Sequence, residues 1–206
     1  MKIPNGFLVI VIISGFIFIG KTVFSQSFHG GPLLGFSATQ IDGEGQNGYN
    51  KFGLVVGGFV NHKISGSIDA QFELKFIQKG SKQTAKASNN YFSWKIALNY
   101  VEMPLLVKYS FNEKRKKLKK IVPEAGLTLS YLANYTYSDY NGPLINIINP
   151  YNKFDYGVLV GVSYKLNEKL SVNLKYTYSF LSILKHHYYG RGQFNKVLAF
   201  TANYQF

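Results

Sequence analysis

The chain contains no cysteine, which excludes disulfides, thiol nucleophiles and cysteine-ligated metals. Charge is also scarce. Asp, Glu, Lys and Arg make up 16% of the 206 residues, below the roughly 25–35% that suits the surface of a soluble domain. Acids are scarcest, with ten against 23 Lys and Arg. Long apolar runs are missing beyond the N-terminus and the mean hydropathy is −0.04, so this is no bundle of membrane helices. A chain this poor in charge needs something other than water over much of its outside. Strands that are apolar on one face and polar on the other reconcile those two facts.

What is abundant is aromatic: 16 Tyr and 17 Phe. The net charge of +13 first suggests a nucleic-acid partner. The basic residues are dispersed over turns and loops, however, with one dense run at residues 114–120, and this dispersion argues against a nucleic-acid interface.

The N-terminus reads as a secretory signal peptide. Lys2 precedes an uncharged stretch over residues 7–20, and Val23 and Ser25 occupy the small-residue positions before a cut between Ser25 and Gln26. The competing reading is an uncleaved anchor, but the run falls short of the ~20 residues a spanning helix needs. Residues 1–25 are thus expected to be removed and 26–206 to form one domain. Loss of Lys2 and Lys21 lowers the net charge from +13 to +11.

The remainder alternates as strands do. In the third of these, Ile68, Ala70, Phe72, Leu74 and Phe76 oppose Asp69, Gln71, Glu73 and Lys75. In the fourth, Val101, Met103, Leu105, Val107 and Tyr109 share a face, but upstream Trp94, Ile96, Leu98 and Tyr100 are apolar on the other parity. That switch predicts a β-bulge near residues 99–101. The fifth places Ala125, Leu127, Leu129, Tyr131, Ala133 and Tyr135 together. The last strand, residues 197–206, ends the chain on Phe206. Eight such strands, several of 10–11 residues, match the 9–11 residues of a tilted membrane strand. Connections alternate long (40–50, 79–93, 136–153, 183–195) and short, as in barrels with long outer loops and short periplasmic turns. The expectation is all-β: an eight-stranded antiparallel up-and-down transmembrane β-barrel in the cell outer membrane.

Alternation alone also fits a soluble lipocalin-type barrel. Three features favour lipid outside. Aromatics gather near strand ends (Tyr109, Tyr135, Tyr164, Tyr178, Phe180, Tyr204), the polar faces are small and mostly uncharged, and the chain closes on Phe206.

Specific stretches carry a family resemblance. Residues 40–45 (Gln-Ile-Asp-Gly-Glu-Gly), 48–54 (Gly-Tyr-Asn-Lys-Phe-Gly-Leu) and, most specifically, 98–109 (Leu-Asn-Tyr-Val-Glu-Met-Pro-Leu-Leu-Val-Lys-Tyr) resemble the PorT-like outer-membrane β-barrel family of Bacteroidota-type bacteria. The resemblance implies an eight-stranded outer-membrane barrel. The family's founding member acts in secretion and gliding machinery. A terminal aromatic strand is read in outer-membrane proteins by the barrel-assembly machinery, and Leu198, Phe200, Tyr204 and Phe206 match that assembly signal.

Asp69, Glu73, Lys75, Glu102, Lys108, Glu124, Asp155, Lys165 and Lys175 are expected inside the barrel. An eight-stranded barrel is just wide enough to be filled by its own side chains, and buried charges must be paired. They read as a salt-bridged plug, against the competing reading of a proton or ion path. His186 and His187 are adjacent and point apart in an extended chain, so no metal site is expected. Ser179 or Ser182 with His186 lacks a supporting acid at suitable spacing, so no catalytic group is assigned. Asp42-Gly43-Glu44-Gly45 lacks the spacing of a calcium loop. No cofactor is expected. The partners expected are outer-membrane lipid and lipopolysaccharide, the barrel-assembly machinery and secretion-system components. The function read is a non-enzymatic structural or partner-binding barrel, with a lipid-modifying enzyme or a small-solute channel as the alternatives.

Overall fold

A computed structural model describes residues 28–44, 48–111, 118–139, 142–143, 149–185 and 192–206. Among these, nine strands run in chain order: β1 (Phe28–Asp42), β2 (Lys51–Lys63), β3 (Ile68–Gln83), β4 (Trp94–Tyr109), β5 (Ile121–Asp139), β6 (Gly142–Pro143), β7 (Phe154–Lys165), β8 (Leu170–Ser179) and β9 (Phe194–Tyr204). The two-residue β6 only extends the outer end of β5. The other eight form one antiparallel sheet, β4-β3-β2-β1-β9-β8-β7-β5, and the β4–β5 pairing closes it into a barrel. Closure leaves no open sheet edge, which is what lets strands cross a membrane.

The connections on the same end as both termini of the barrel are the longer β4–β5 connection, 110–120, and the tight turns 64–67 and 166–169, which follow β2 and β7. The β7–β8 turn shows how tightly they are made: the Asn167 side-chain oxygen accepts from the backbone N–H of Lys169 and of Leu170, at 2.9 and 2.7 Å. The tight turns and both termini place this end at the periplasm and the opposite end outward. The proposed Ser25/Gln26 cut lies outside the described residues.

Facing is inverted relative to a soluble protein. Leu127 is 62% exposed, while Glu73 is 0% and Lys175 1% exposed. Leu34, Phe36, Phe72, Leu74, Leu105, Val160 and Leu174 join Leu127 on the outside. Tyr109, Tyr164 and Tyr204 ring the periplasmic end of this band, and the Tyr131–Phe154 and Tyr178–Phe194 pairs lie toward its outer end. The final strand closes the seam between β8 and β1, pairing Leu33 with Asn203 through Asp42 with Phe194. Pairing continues to the last residue. The Gln205 N–H donates to the Lys169 carbonyl and the Phe206 N–H to the Gly30 carbonyl. Leu198, Phe200, Tyr204 and Phe206 all point outward from that seam.

Three expectations need correction. The pairing does shift register at Asn99/Tyr100, but the extra residue is Ala133 on β5 and not a residue of β4. Trp94, Ile96, Leu98 and Tyr100 therefore share the inward face with Glu102, and β4 keeps one parity throughout. Tyr135, expected among the outward aromatics, is turned inside by the Ala133 bulge and packs on Tyr151 with ring centroids 5.4 Å apart. Finally, β3 runs to Gln83 and β5 to Asp139, so residues expected in the outer loops, Lys79 among them, continue the barrel wall.

Inward glycines make room for long side chains. A Cβ on Gly57 would lie 2.5 Å from Lys75 Cα and 2.2 Å from the Leu74 carbonyl oxygen, whereas one on Gly66, in a periplasmic turn, meets nothing within 4 Å. Gly57→Val is expected to destabilise the folded barrel by about 1–3 kcal/mol through overpacking, and Gly66→Ala to leave it unchanged. The check is the temperature at which the compact band disappears on a heat-modifiability gel.

Candidate functional site

The lumen is built from rows of residues facing each other across neighbouring strands. Lys75 on β3 lies opposite Glu102 on β4, which lies opposite Ser130 on β5, which lies opposite Asp155 on β7. Nearer the periplasm, Lys108, Glu124, Gly161 and Lys175 form a second row over β4, β5, β7 and β8. Alternation puts every one of them inside.

Their charged ends join into a single chain of alternating sign: Asp155, Lys79, Glu102, Lys75, Glu73, Lys175, Glu124, Lys108. Seven ion pairs link these eight residues. The Lys79–Glu102 pair is 2.7 Å, Lys75–Glu73 3.0 Å and Lys75–Glu102 3.2 Å, and Lys175 bonds Glu73 directly. Neutral groups add further bonds, while Asp155 Oδ1 is left without one. Gln71 donates to Glu73 at 2.7 Å and accepts from Lys108 at 3.0 Å, which closes a ring through Lys175 and Glu124. Ser130 donates to Glu102, Ser163 to Glu124 and Asn195 to Asp155. The Lys79 ammonium also sits 4.8 Å over the Tyr100 ring. Four lysines and four carboxylates leave the chain with no net charge, which is the condition for holding it out of water.

Above this layer the lumen holds an apolar cluster beside the buried Thr39, Lys51 and Ser81. Ile41, Ile77, Ile96, Leu98, Tyr100, Leu132 and Val197 form a cluster with Tyr151 and Ile183, which enter from the outer connections. Those two connections are stitched together. Tyr151 bridges Leu184, the Asn152 N–H donates to the Ile183 carbonyl, and the Asn152 amide nitrogen donates to the carbonyls of Ser182 and Leu184. An apolar stopper thus sits on the ionic layer.

Seven of the nine predicted lumen residues are brought together in the ionic chain. Asp69 and Lys165 are not: they line a cavity of about 550 Å³ at the periplasmic mouth and pair with no described residue. Lys79 is the member the sequence reading missed. Its signal was present, because Ile77, Lys79 and Ser81 continue the parity of Glu73 and Lys75. Ser179 is buried, its hydroxyl accepting from the Asn195 N–H, and the Ser182 hydroxyl accepts from the N–H groups of Leu184 and Gln193. His186 and His187 lie outside the described residues. Asp42 pairs with Lys196 at 2.9 Å while Glu44 turns the other way to accept from the Ser81 hydroxyl, so the two do not converge as cation ligands. No cluster of three His, Asp or Glu suited to a metal occurs among the described residues.

Glu44 lies in the β1–β2 connection, outside the membrane-spanning strands. Burial pushes its carboxyl up to about 7, against a smaller opposing effect of the Ser81 hydrogen bond. The folded connection holds this proton more tightly than the unfolded chain does. Its contact with β3 is therefore strongest below the ordinary value of 4.5 and weakens as pH rises toward about 7. Trp94, bonded to Gln83 at the same end of β3, is a reporter. Its emission is expected to change with a midpoint near pH 7, and Glu44→Gln to abolish the transition. In the ionic chain, Glu102→Gln removes the carboxylate shared by Lys75 and Lys79 and is expected to cost about 3 kcal/mol, the scale for breaking a buried pair. An unchanged melting temperature on the same gel would contradict this.

The chain is similar to several solved structures. Ail, the attachment invasion locus protein of Yersinia pestis, is 10% identical with a TM-score of 0.49, over 87% of this chain and 99% of that one. Neisserial surface protein A is 13% identical with a TM-score of 0.48, over 87% and 97%. A de novo designed transmembrane β-barrel is 9% identical with a TM-score of 0.37, over 85% and 95%. No curated protein matches the chain in sequence. Residues 24–185 match the family described as the outer membrane protein beta-barrel domain. With eight strands closed on themselves, lipid-facing Leu and Phe outside and a neutralised ionic chain within, this protein belongs to that family and resides in the outer membrane.

Proposed function

We propose that the protein is a non-enzymatic barrel, closed to solutes, that works by holding partners at its two ends. Within that reading it is a PorT-like barrel of Bacteroidota type, accessory to a secretion or gliding machinery, with lipid, lipopolysaccharide and the barrel-assembly machinery as its other contacts. One observation carries the reading: the buried chain of eight ionic residues lies directly beneath the apolar stopper. An ion crossing the lumen would have to break several buried pairs and then enter a layer with little to solvate it. The hydroxyls of Ser179 and Ser182, the candidate nucleophiles of the enzyme alternative, each accept backbone N–H groups.

The purified barrel in a planar bilayer is expected to show no unitary conductance. A stepwise current carried by the wild-type protein would overturn the closed-lumen reading. Affinity capture from cross-linked cells is expected to recover envelope machinery components, and lipid A masses are expected to be the same with and without the protein. A new acylated or deacylated lipid A species that depends on Ser179 or Ser182 would establish the enzyme instead.

A further inference from the structure

The periplasmic mouth is unlike the rest of the lumen. Its cavity of about 550 Å³ is lined by six lysines, Lys63, Lys108, Lys119, Lys120, Lys165 and Lys169, against two acids, Asp69 and Glu168. Lys108 belongs to the ionic chain. Lys63, Lys120, Lys165 and Lys169 engage no carboxylate among the described residues. Holding several like charges around one cavity is unfavourable unless a counter-charge enters it.

The floor of the cavity adds a second and independent observation. Asn203 on β9 is 2% exposed and lines the cavity, and neither its amide nitrogen nor its amide oxygen is hydrogen-bonded. Tyr100, Glu124, Asp155, Asn173 and Asn195 each leave one buried polar atom without a hydrogen bond, but among the described residues Asn203 alone leaves two. A buried amide left with both a donor and an acceptor open calls for a ligand that can supply both. The cavity is also lined by the apolar Phe59 and Val122, at 6% and 1% exposure.

We propose that this cavity binds a short acidic peptide segment of a periplasmic partner. Three parts of the chemistry select it. The lysine rim takes Asp or Glu carboxylates. The Asn203 oxygen needs an N–H donor, which a peptide backbone has and an ionised phosphate lacks. Phe59 and Val122 take an apolar side chain between the acids. The volume lies in the range of small-ligand sites, roughly 300–1,000 Å³, and suits a few residues of chain. The strands wall the cavity off from the bilayer and it opens along the barrel axis, which favours a periplasmic ligand over a membrane lipid.

The inference rests on reading the barrel as a partner-binding protein, and it is tested separately. The full-length mature barrel in nanodiscs is titrated, by fluorescence anisotropy at low salt, with a labelled peptide Asp-Leu-Glu-Asp-Leu-Glu and with its neutral isostere Asn-Leu-Gln-Asn-Leu-Gln. The acidic peptide is expected to bind at least about tenfold tighter and to lose affinity with added salt. The triple variant Lys120→Gln, Lys165→Gln, Lys169→Gln changes only exposed rim side chains. It is expected to keep the heat-modifiable band and to lose about tenfold or more in affinity. Asn203→Leu is expected to weaken the acidic and neutral peptides by a similar factor, because it acts on the backbone. Equal binding of the two peptides, or unchanged binding by the triple variant, overturns the proposal. So does pyrophosphate binding as tightly as the acidic peptide on the same lysines, which would mark a phosphate site. If the peptide fails while the barrel stays non-conducting and still captures envelope partners, the site is wrong and the partner-binding reading stands.

Discussion

Everything in this structure follows from what the outside of the wall may touch. Over the membrane-spanning part, each outward side chain meets lipid and must be apolar. A strand alternates, so half of its residues must go inside, and an eight-stranded barrel leaves them no water-filled lumen to dissolve in. The interior therefore has to satisfy itself. Lys75 alone would be an isolated buried cation, and Glu102 alone an isolated buried anion. Together with six others they form a neutral chain whose members each have a partner of opposite sign. Gly57 and Gly161 belong to the same solution. Gly161 lies between Glu124 and Lys175 in the cross-strand row, and a Cβ there would come within 3.0 Å of Glu124 Oε1 and 3.1 Å of Lys175 Cγ.

The same constraint explains the bulge. Where the wall rises out of the membrane, its outside meets water, and the apolar face has to move inside. On β4 the sequence makes that change itself: Val101, Leu105 and Val107 face lipid below, and Trp94, Ile96, Leu98 and Tyr100 face inward above, all on an unbroken strand. On β5 the apolar parity does not change, from Leu127 and Tyr131 through to Tyr135 and Tyr137. There the backbone has to turn over, and the extra residue Ala133 does it. Outward of the shift the exposed positions become Asn134 and Thr136. A parity switch in sequence thus has two physical sources, a kink in the strand or a change in what lies outside. Reading only the first located the bulge on the correct strand pair and on the wrong strand.

This also sets how much was legible beforehand. The strand count, the inside-out facing, the closing seam at Phe206 and the inward position of most of the charges all follow from period and length. Partner choice among those charges did not. Asp69 stands directly opposite Lys108 in register, yet Lys108 reaches Glu124 on the far neighbour β5 and Gln71, two residues along β3, and leaves Asp69 at the mouth. A lysine stem spans several ångströms, so register alone does not say which carboxylate it meets. Lys79 was hidden for a different reason. It lies in a polar stretch, Lys-Gly-Ser-Lys-Gln, that has loop composition because the wall outside it is already in water. Composition reports solvent there, while hydrogen bonding to β4 still makes it strand.

The surplus of positive charge can now be placed. The lipid-facing wall excludes charge, and the ionic chain uses four of the ten acids and four lysines without net charge. The imbalance of +13 has nowhere to go except the N-terminal segment and the two ends of the barrel. At the periplasmic end several lysines stand around one cavity, their side chains exposed at its rim. Spread charges would repel weakly and be screened within about 8–10 Å by salt. Around a recess with low-dielectric walls the same charges focus a field along the barrel axis and raise the local concentration of any anion small enough to enter. The basic composition that first suggested nucleic acid is thus a property of the ends. It is a consequence of a middle that must be apolar without and neutral within.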